Sequence, residues 1–272
     1  MALDLSSVRA KLSRATIHAQ TVKNEVSALM DRNPYSVLQK VNTDSTRYSI
    51  VIRVNEAPAI RRWSLMIADC FFNLRCSLDH LIYAVACHES SPQPPAYEDK
   101  LQFPIVDDPT NFQKAVAEQK RLGAISDRVR AAIERYQPYN RPHPNVPPLL
   151  SILRDLTNRD KHKLLPLAMH SVATASLGFV GEVTDANERD PRFHHSDSEI
   201  EDGAEVCAIT FNRPTPDMKF DRTIFNVIVG IRHGKRDPSL PERADRSEFT
   251  ALLNLLRAEV REIIYEVSGK VV

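Results

Sequence analysis

Glycine is scarce in this chain, with only seven among 272 residues. None of the seven forms the Gly-x-Gly-x-x-Gly or Gly-x-x-x-x-Gly-Lys-Ser/Thr pattern with which a loop cradles phosphate groups. The sequence therefore argues against nucleotide-dependent chemistry of those two kinds.

Long apolar runs and paired cysteines are also missing. No stretch reaches 18 uncharged apolar residues, so we expect no membrane span. The first residues lack a basic segment followed by an apolar run, and we expect no secretory signal. The four cysteines form no Cys-x-x-Cys pair, and three lie on one predicted helix, where disulfide geometry is rarely reached. Reduced thiols and a cytoplasmic location are the resulting expectations.

Charge of one sign is not in excess either, since the formal net charge is +1. There is thus no global basic field that would attract nucleic acid, although a local basic patch remains compatible with this balance. A hydrophobic content of 42% with 26% charged residues is ordinary for a globular protein.

Helical periodicity dominates the first part of the chain. An apolar stripe with steps of three and four predicts a first helix from Leu5 to about Asn33, packed on its own core or, as the alternative, forming a coiled coil with a second chain.

Two β-rich runs at 35–41 and 47–54 predict a hairpin, which could join the later strands in one sheet. The alternation in its second run predicts one buried face.

Four further helices are expected before residue 164. Asp108 can cap the second of them and Ser126 the third. Their expected ranges are 59–87, 109–119, 126–136 and 147–163.

After residue 163 the pattern changes to strands. An acidic loop is expected at 184–203, and a last helix at 247–267, with Asp245 and Glu248 at capping-box spacing. The expected strands are 164–173, 175–183, 204–212 and 223–232.

This order of elements predicts an α+β fold, with a bundle of long helices packed with an antiparallel sheet. We expect a single domain over 1–272. Its expected parts are a helical portion at 1–163 that includes the hairpin 35–54, a β-rich portion at 164–232, and the helix 247–267.

The most informative segment is Asn-Leu-Arg-Cys-Ser-Leu-Asp-His at 73–80. It places the polar side chains of Asn73, Arg75, Asp79 and His80 in a helix that is otherwise strongly apolar. Burying such groups without partners costs several kcal/mol, so they form either a closed network or a chemical site. Because Arg75 and Asp79 are four residues apart, they can pair with each other.

A second polar group is Asn-Arg-Asp-Lys-His-Lys at 158–163, with Asn158, Asp160, Lys161 and His162 as candidate site residues. Asp160 projects into the apolar face of its helix, so we expect it to pair with a basic side chain or with backbone N–H groups.

If the two helices pack antiparallel, His80 and His162 would share one pocket. Such a pocket could hold a metal through two imidazoles and a carboxylate, or it could place an acid and a base without a metal. Because no His-Glu-x-x-His or Cys-rich spacing is present, we expect neither a metal nor a cofactor. The other alternative is a buried hydrogen-bond network that only stabilises the fold.

The spacing from Arg75 to His80, arginine and histidine separated by four residues, resembles that of HEPN-type helical proteins. The position after the arginine, usually polar in that group, is Cys76 here. The chain is also similar to a widespread uncharacterised bacterial family that combines four motifs. Here these motifs are residues 73–80, Phe-Pro-Ile at 103–105, Gln-Pro-Tyr at 137–139 and residues 158–163.

The HEPN resemblance implies a HEPN-like helical fold and a metal-independent ribonuclease that acts as a homodimer, with RNA as the partner. It implies that Arg75 steadies a phosphate and that His80 acts on a ribose hydroxyl or a leaving oxygen. Lys161 and His162 would add charge, supported by basic residues that include Arg121. The alternative function is a non-catalytic interaction or scaffold protein in which both polar segments are structural.

Overall fold

The computed structural model describes residues 3–90, 94–140, 148–179, 190, 192–195, 200–216, 218–232 and 246–272. These residues form an α+β fold with antiparallel sheets, which confirms the predicted fold class. The α-helices are α1 (Ser6–Asp31), α2 (Ile60–Glu89), α3 (Pro109–Ala117), α4 (Asp127–Arg135), α5 (Leu149–Asp160) and α6 (Phe249–Ser268). Two short 3-10 helices are Glu98–Lys100 and Pro138–Asn140. The strands are β1 (Tyr35–Val41), β2 (Arg47–Val54), β3 (Leu167–Phe179), β4 (Arg192–His195), β5 (Glu205–Thr210), β6 (Met218–Arg232) and β7 (Arg246–Glu248).

The chain divides into two compact units, each assembled from separate stretches of sequence. The first unit contains Met1–Lys23, Arg61–Leu165 and Phe249–Val272, and the second contains Asn24–Ile60 and Pro166–Glu248. The last helix thus belongs with α2 to α5, and the hairpin belongs with the later strands. The expectation of a single domain stays a prediction.

The first unit contains most of α2, a helix of 30 residues with a broad buried face. Its Phe71 ring meets the Phe249 ring of α6 edge to face, with centroids 6.4 Å apart. Full burial of a side chain of this size contributes about 2–3 kcal/mol. The buried apolar face of α6 continues along the helix with Leu252, Leu253, Leu256, Val260, Ile263, Ile264 and Val267.

The apolar stripe of α1 is buried within one chain. Its buried members are Leu5, Val8, Leu12, Ala15, Val22 and Leu29. Because these side chains are already covered, the stripe packs within its own fold and is not open to a coiled-coil partner, in agreement with the first of our two expectations.

The two predicted helix caps have different outcomes. Asp108 caps α3, since its Oδ1 accepts a hydrogen bond from the Asn111 N–H at 2.9 Å. Ser126 occupies the N-cap position of α4, as predicted, but its side chain makes no cap bond. Its hydroxyl and N–H instead donate to the two carboxylate oxygens of Glu89, at 2.8 and 2.7 Å. These charge-assisted bonds to Glu89 hold the Ser126 hydroxyl in an orientation in which its oxygen accepts no bond from the first turn of α4.

The second unit contains two antiparallel sheets in its described part. The order is β1-β2-β5-β4 in one sheet and β3-β6-β7 in the other. The hairpin has the predicted bounds and does join a later strand, because β2 pairs with β5. A small core of Ile50, Ile52, Val206 and Cys207 lies on this sheet.

Several strand predictions need correction. Residues Tyr48 to Ile52 are all buried, so β2 is covered on both faces rather than one. The strands expected at 164–173 and 175–183 are one strand, β3, because its pairing with β6 runs through Thr174 without a break. Residues 180–183 lie outside the described residues.

The acidic loop expected at 184–203 contains strand β4, which pairs with β5. The rest of that range is described only at 190 and 200–203. Strand β6 begins at Met218 rather than 223, and α6 begins after β7 rather than at residue 247. Asp245, half of the predicted capping box, lies outside the described residues.

Candidate functional site

Arg75 and Asp79 form an ion pair on α2, with Arg75 Nη1 and Asp79 Oδ1 2.7 Å apart. Both side chains also bind the backbone of Phe103. Arg75 Nη2 donates to the Phe103 carbonyl at 2.7 Å, and Asp79 Oδ1 accepts from the Phe103 N–H at 2.9 Å. The pair therefore satisfies both backbone polar groups of a residue whose side chain is fully buried.

Gln137 holds the next residues of the same segment. Its Nε2 donates to the Pro104 carbonyl at 2.9 Å, and its Oε1 accepts from the Val106 N–H at 3.1 Å. The Gln137 residue is only 1% exposed. We call Arg75, Asp79 and Gln137, with the backbone of residues 103–106, the anchor network.

Asp107 extends this attachment to α5. Ser151 Oγ donates to Asp107 Oδ1 at 2.8 Å, and Arg154 Nη1 lies 2.7 Å from Asp107 Oδ2. Three of the segments that carry the resemblance, at 73–80, 103–105 and 137–139, thus meet in space. The helix of the fourth segment joins them through Ser151 and Arg154, about two turns and one turn before residue 158.

The electrostatics of the pair are dominated by burial. Burial raises the pKa of Asp79 above its usual value, although the Arg75 charge and the Phe103 N–H lower it. The neighbouring Cys76 thiol also has a raised pKa, again chiefly because of burial. Cys76 is therefore not an activated thiolate.

Asn73 is buried and turned toward its own helix. Its Nδ2 donates to the backbone carbonyl of Asp69 at 2.8 Å. The side chain thus stabilises α2 locally and makes no contact with the Arg75–Asp79 pair in the described part of the chain.

His80 differs from the other three polar residues of this segment. Its side chain is partly exposed, and its imidazole makes no hydrogen bond to any described residue. It directly follows Asp79 on α2, and its charge is among those that lower the pKa of Asp79. The imidazole is therefore available to a ligand or a substrate.

Arg121 lies beside the anchor network. The Gln102 N–H, next to Phe103, donates to the Arg121 carbonyl at 3.0 Å. Burial lowers the pKa of the Arg121 guanidinium, and the charge of Arg75 lowers it further. Among the described residues no carboxylate forms an ion pair with Arg121, although the charge of Asp79 opposes the effect of Arg75 on the pKa of Arg121.

The second polar segment lies largely in solvent at the end of α5. Asn158, Lys161 and His162 are exposed, and Lys161 Nζ lies 3.2 Å from Asn158 Oδ1. Asp160 is half-buried, and its pKa is raised by burial and by the charge of Asp69. The expected basic or N–H partner of Asp160 is not found among the described residues.

The two polar segments are not joined by side-chain contacts. Across the described ranges, no hydrogen bond or ion pair links residues 73–80 to residues 158–162, and none joins His80 to His162. Asp69, which lies on α2 before the first segment, raises the pKa of Asp160 through its charge. No cluster of three or more His, Cys, Asp or Glu side chains suited to a metal occurs among the described residues.

Sequence reasoning missed the role of the Phe103 backbone and the position of Arg121 beside the anchor network. The Phe-Pro-Ile and Gln-Pro-Tyr segments were visible as motifs, but nothing in their residue types indicates that a glutamine and an ion pair bind one stretch of backbone. Arg121 was considered only as one basic residue among several.

No helix in the described ranges is both long and apolar enough to cross a membrane. Comparisons of the chain with protein-family models, with curated proteins and with solved structures gave no match.

Proposed function

We propose that the first unit is a metal-independent ribonuclease in which His80 transfers the proton and Arg121, with Arg75, binds the reacting phosphate. The observation that carries the proposal is the partly exposed His80 imidazole, which makes no hydrogen bond to a described residue and directly follows Asp79 of the anchor network; Arg121, bonded to the same network through its carbonyl, forms no ion pair among the described residues. An accessible imidazole and a guanidinium without an ion-pair partner, both attached to the anchor network, suit an anionic substrate that must lose a proton.

The chemistry requires no co-reactant. Neutral His80 accepts the proton of the ribose 2′-hydroxyl, and the 2′-oxygen attacks the adjacent phosphorus. The bond from phosphorus to the 5′-oxygen breaks, leaving a 2′,3′-cyclic phosphate. The 5′-oxygen takes a proton from water, and the imidazolium returns its own proton to solvent.

The two guanidinium groups would stabilise the charge that develops on the phosphoryl oxygens. Arg75 uses two of its five N–H donors on Asp79 and Phe103, so donors remain for a phosphate oxygen. Fixed positive groups in a partly buried site stabilise a transition state more strongly than the same groups in water.

Asn158, Asp160, Lys161 and His162 remain candidates in a weaker sense. Because no contact joins them to residues 73–80, their proposed contribution is limited to added positive charge for RNA binding from Lys161 and His162. A HEPN-like fold, a homodimer, and a bacterial, cytoplasmic origin remain parts of the proposal.

The test compares His80→Ala with the parent protein on a labelled RNA oligonucleotide in the presence of EDTA. The parent should release a 2′,3′-cyclic phosphate product, and the variant should be at least about 100-fold slower. Its melting temperature should match that of the parent, because the imidazole makes no hydrogen bond in the described part of the chain. His18→Ala, a matched histidine on α1, should cleave normally.

A second candidate function is a non-catalytic scaffold, favoured by a specific observation. Arg75 and Asp79 both bind the Phe103 backbone, which is the behaviour of a structural network. Under this alternative the parent cleaves no RNA, and Arg75→Ala changes only the stability of the protein. Cleavage by the parent that disappears in His80→Ala would exclude the scaffold.

A further inference from the structure

Tyr97 presents an aromatic ring on the surface of the first unit. It precedes the 3-10 helix Glu98–Lys100, its backbone is left-handed with φ of 59°, and it is 45% exposed. The ring lies close to Gly123, where an added Cβ would stand 2.6 Å from Tyr97 Cδ2. Only glycine at residue 123 therefore leaves room for the ring in this place.

Two lysine ammonium groups lie over this ring. Lys100 Nζ is 6.0 Å and Lys120 Nζ is 5.9 Å from the ring centroid, at the outer range of cation–π attraction. Neither ammonium forms an ion pair within the described ranges. Glu98 and Asp99 are the carboxylates nearest in sequence, and Glu98 accepts a hydrogen bond from the Tyr83 hydroxyl at 3.2 Å.

This group of residues is continuous with the proposed active site. Lys120 precedes Arg121, whose carbonyl accepts a hydrogen bond from Gln102 beside the anchor network. Lys120, like Tyr97, has a left-handed backbone, with φ of 57°. Uncommon backbone conformations at two adjoining positions are maintained by their surroundings and are found more often at functional sites.

We propose that Tyr97, Lys100 and Lys120, here called the Tyr97 platform, bind single-stranded RNA and lead it to His80. The ring stacks on an unpaired base, and the two ammonium groups move from the ring to the flanking phosphates. Exposed aromatic rings combined with cations are the means by which proteins bind single strands. Duplex RNA keeps its bases stacked inside, so the ring would not reach them. The inference rests on the proposed ribonuclease function and names the form of its substrate.

Binding is measured separately from cleavage, in the His80→Ala protein, by fluorescence anisotropy. The probes are a labelled oligouridine of about ten nucleotides and a duplex RNA of equal length. Tyr97→Leu should weaken binding of the single strand roughly 5- to 100-fold. Tyr97→Phe, which keeps the ring, should restore most of that loss.

Gly123→Ala provides a second test of whether the Tyr97 ring contributes to binding. It leaves Tyr97 in the chain but forces the ring from its position, so it should also weaken binding of the single strand. A normal melting temperature of this variant shows that the loss is local.

The lysines are tested by the salt dependence of binding. Each of Lys100→Gln and Lys120→Gln should reduce the slope of log K against log salt by about 0.7, the value for one phosphate contact on a single strand. Lys40→Gln, an exposed lysine of β1 in the second unit, should leave the slope unchanged.

The outcomes separate the two proposals. If the Tyr97→Leu protein binds single-stranded RNA as tightly as its parent, the proposed role of the Tyr97 platform is wrong. The same holds if the duplex is bound as tightly as the single strand. If RNA binding depends on Tyr97 but the protein with intact His80 does not cleave RNA, the proposed ribonuclease function is wrong. The proposal that the Tyr97 platform binds single-stranded RNA would then still hold.

Discussion

Replacing Asp79 by alanine should destabilise the first unit by about 2–3 kcal/mol, whereas Asp79→Asn should cost less than about 1 kcal/mol. Asp79 Oδ1 accepts from both Arg75 Nη1 and the Phe103 N–H. Alanine leaves a guanidinium and a buried N–H without this acceptor, and each loss costs about 1–3 kcal/mol. The side chains of Arg75 and Asp79 are 13% and 28% exposed, so screening by solvent makes the total cost smaller than the sum of the two losses.

Asparagine preserves the acceptor and removes only the charge. Because burial already raises the pKa of Asp79, the charge itself contributes little net stability. Urea unfolding is followed by the fluorescence of Trp63, the single tryptophan, which is buried in the first unit. Asp99→Ala, at an exposed aspartate, is the control. The reasoning is refuted if asparagine is as damaging as alanine, since the charge and not the acceptor would then matter.

Three further changes test other parts of the first unit. Gln137→Ala should cost about 2–3 kcal/mol in the same unfolding assay, because Pro104 and Val106 lose their partner; a cost below about 0.5 kcal/mol would contradict this. Burial raises the pKa of Glu259 from 4.5 to about 7. Between these two pH values the folded state binds more protons than the unfolded state. The free energy of unfolding of the parent protein therefore falls as the pH rises from 4.5 to about 7. Glu259→Gln should therefore be more stable than the parent by about 2 kcal/mol at pH 8, a value reduced for the partial exposure of the side chain. Near pH 4 the two proteins should be equally stable. A gain that does not depend on pH would count against this reasoning. Asp108→Ala should cost about 1 kcal/mol through loss of the α3 cap, and Asp108→Ser should recover most of it.

Sequence reasoning succeeded where the determinants are local. The stripe beginning at Leu5 and the second run of the hairpin carry their own periodicity, and the first run is rich in β-forming residues, so their elements were located closely. Asp108 was identified as a cap because the capping residue and the N–H that it binds are three positions apart.

It failed where a partner lies far away in the chain. Burial of both faces of β2 depends on what covers each face of the sheet, and the alternating pattern of its own residues does not reveal that. The hydroxyl of Ser126 binds Glu89, 37 residues earlier, instead of the first turn of its own helix. The candidate site shows the same limit, because Arg75 and Asp79 bind a peptide group 28 and 24 residues away.

The proposed function assigns the polar residues of α2 two different roles. Arg75 and Asp79 hold the backbone of Phe103, and the Gln102 N–H beside it donates to the Arg121 carbonyl, so the anchor network is bonded to the backbone of Arg121. If this division is correct, loss of Arg75 must lower stability and RNA cleavage together, because both depend on the same backbone segment. Loss of His80 must lower cleavage alone. Equal effects of the two replacements on stability would mean that His80 belongs to the network, and the case for an open catalytic imidazole would then no longer stand.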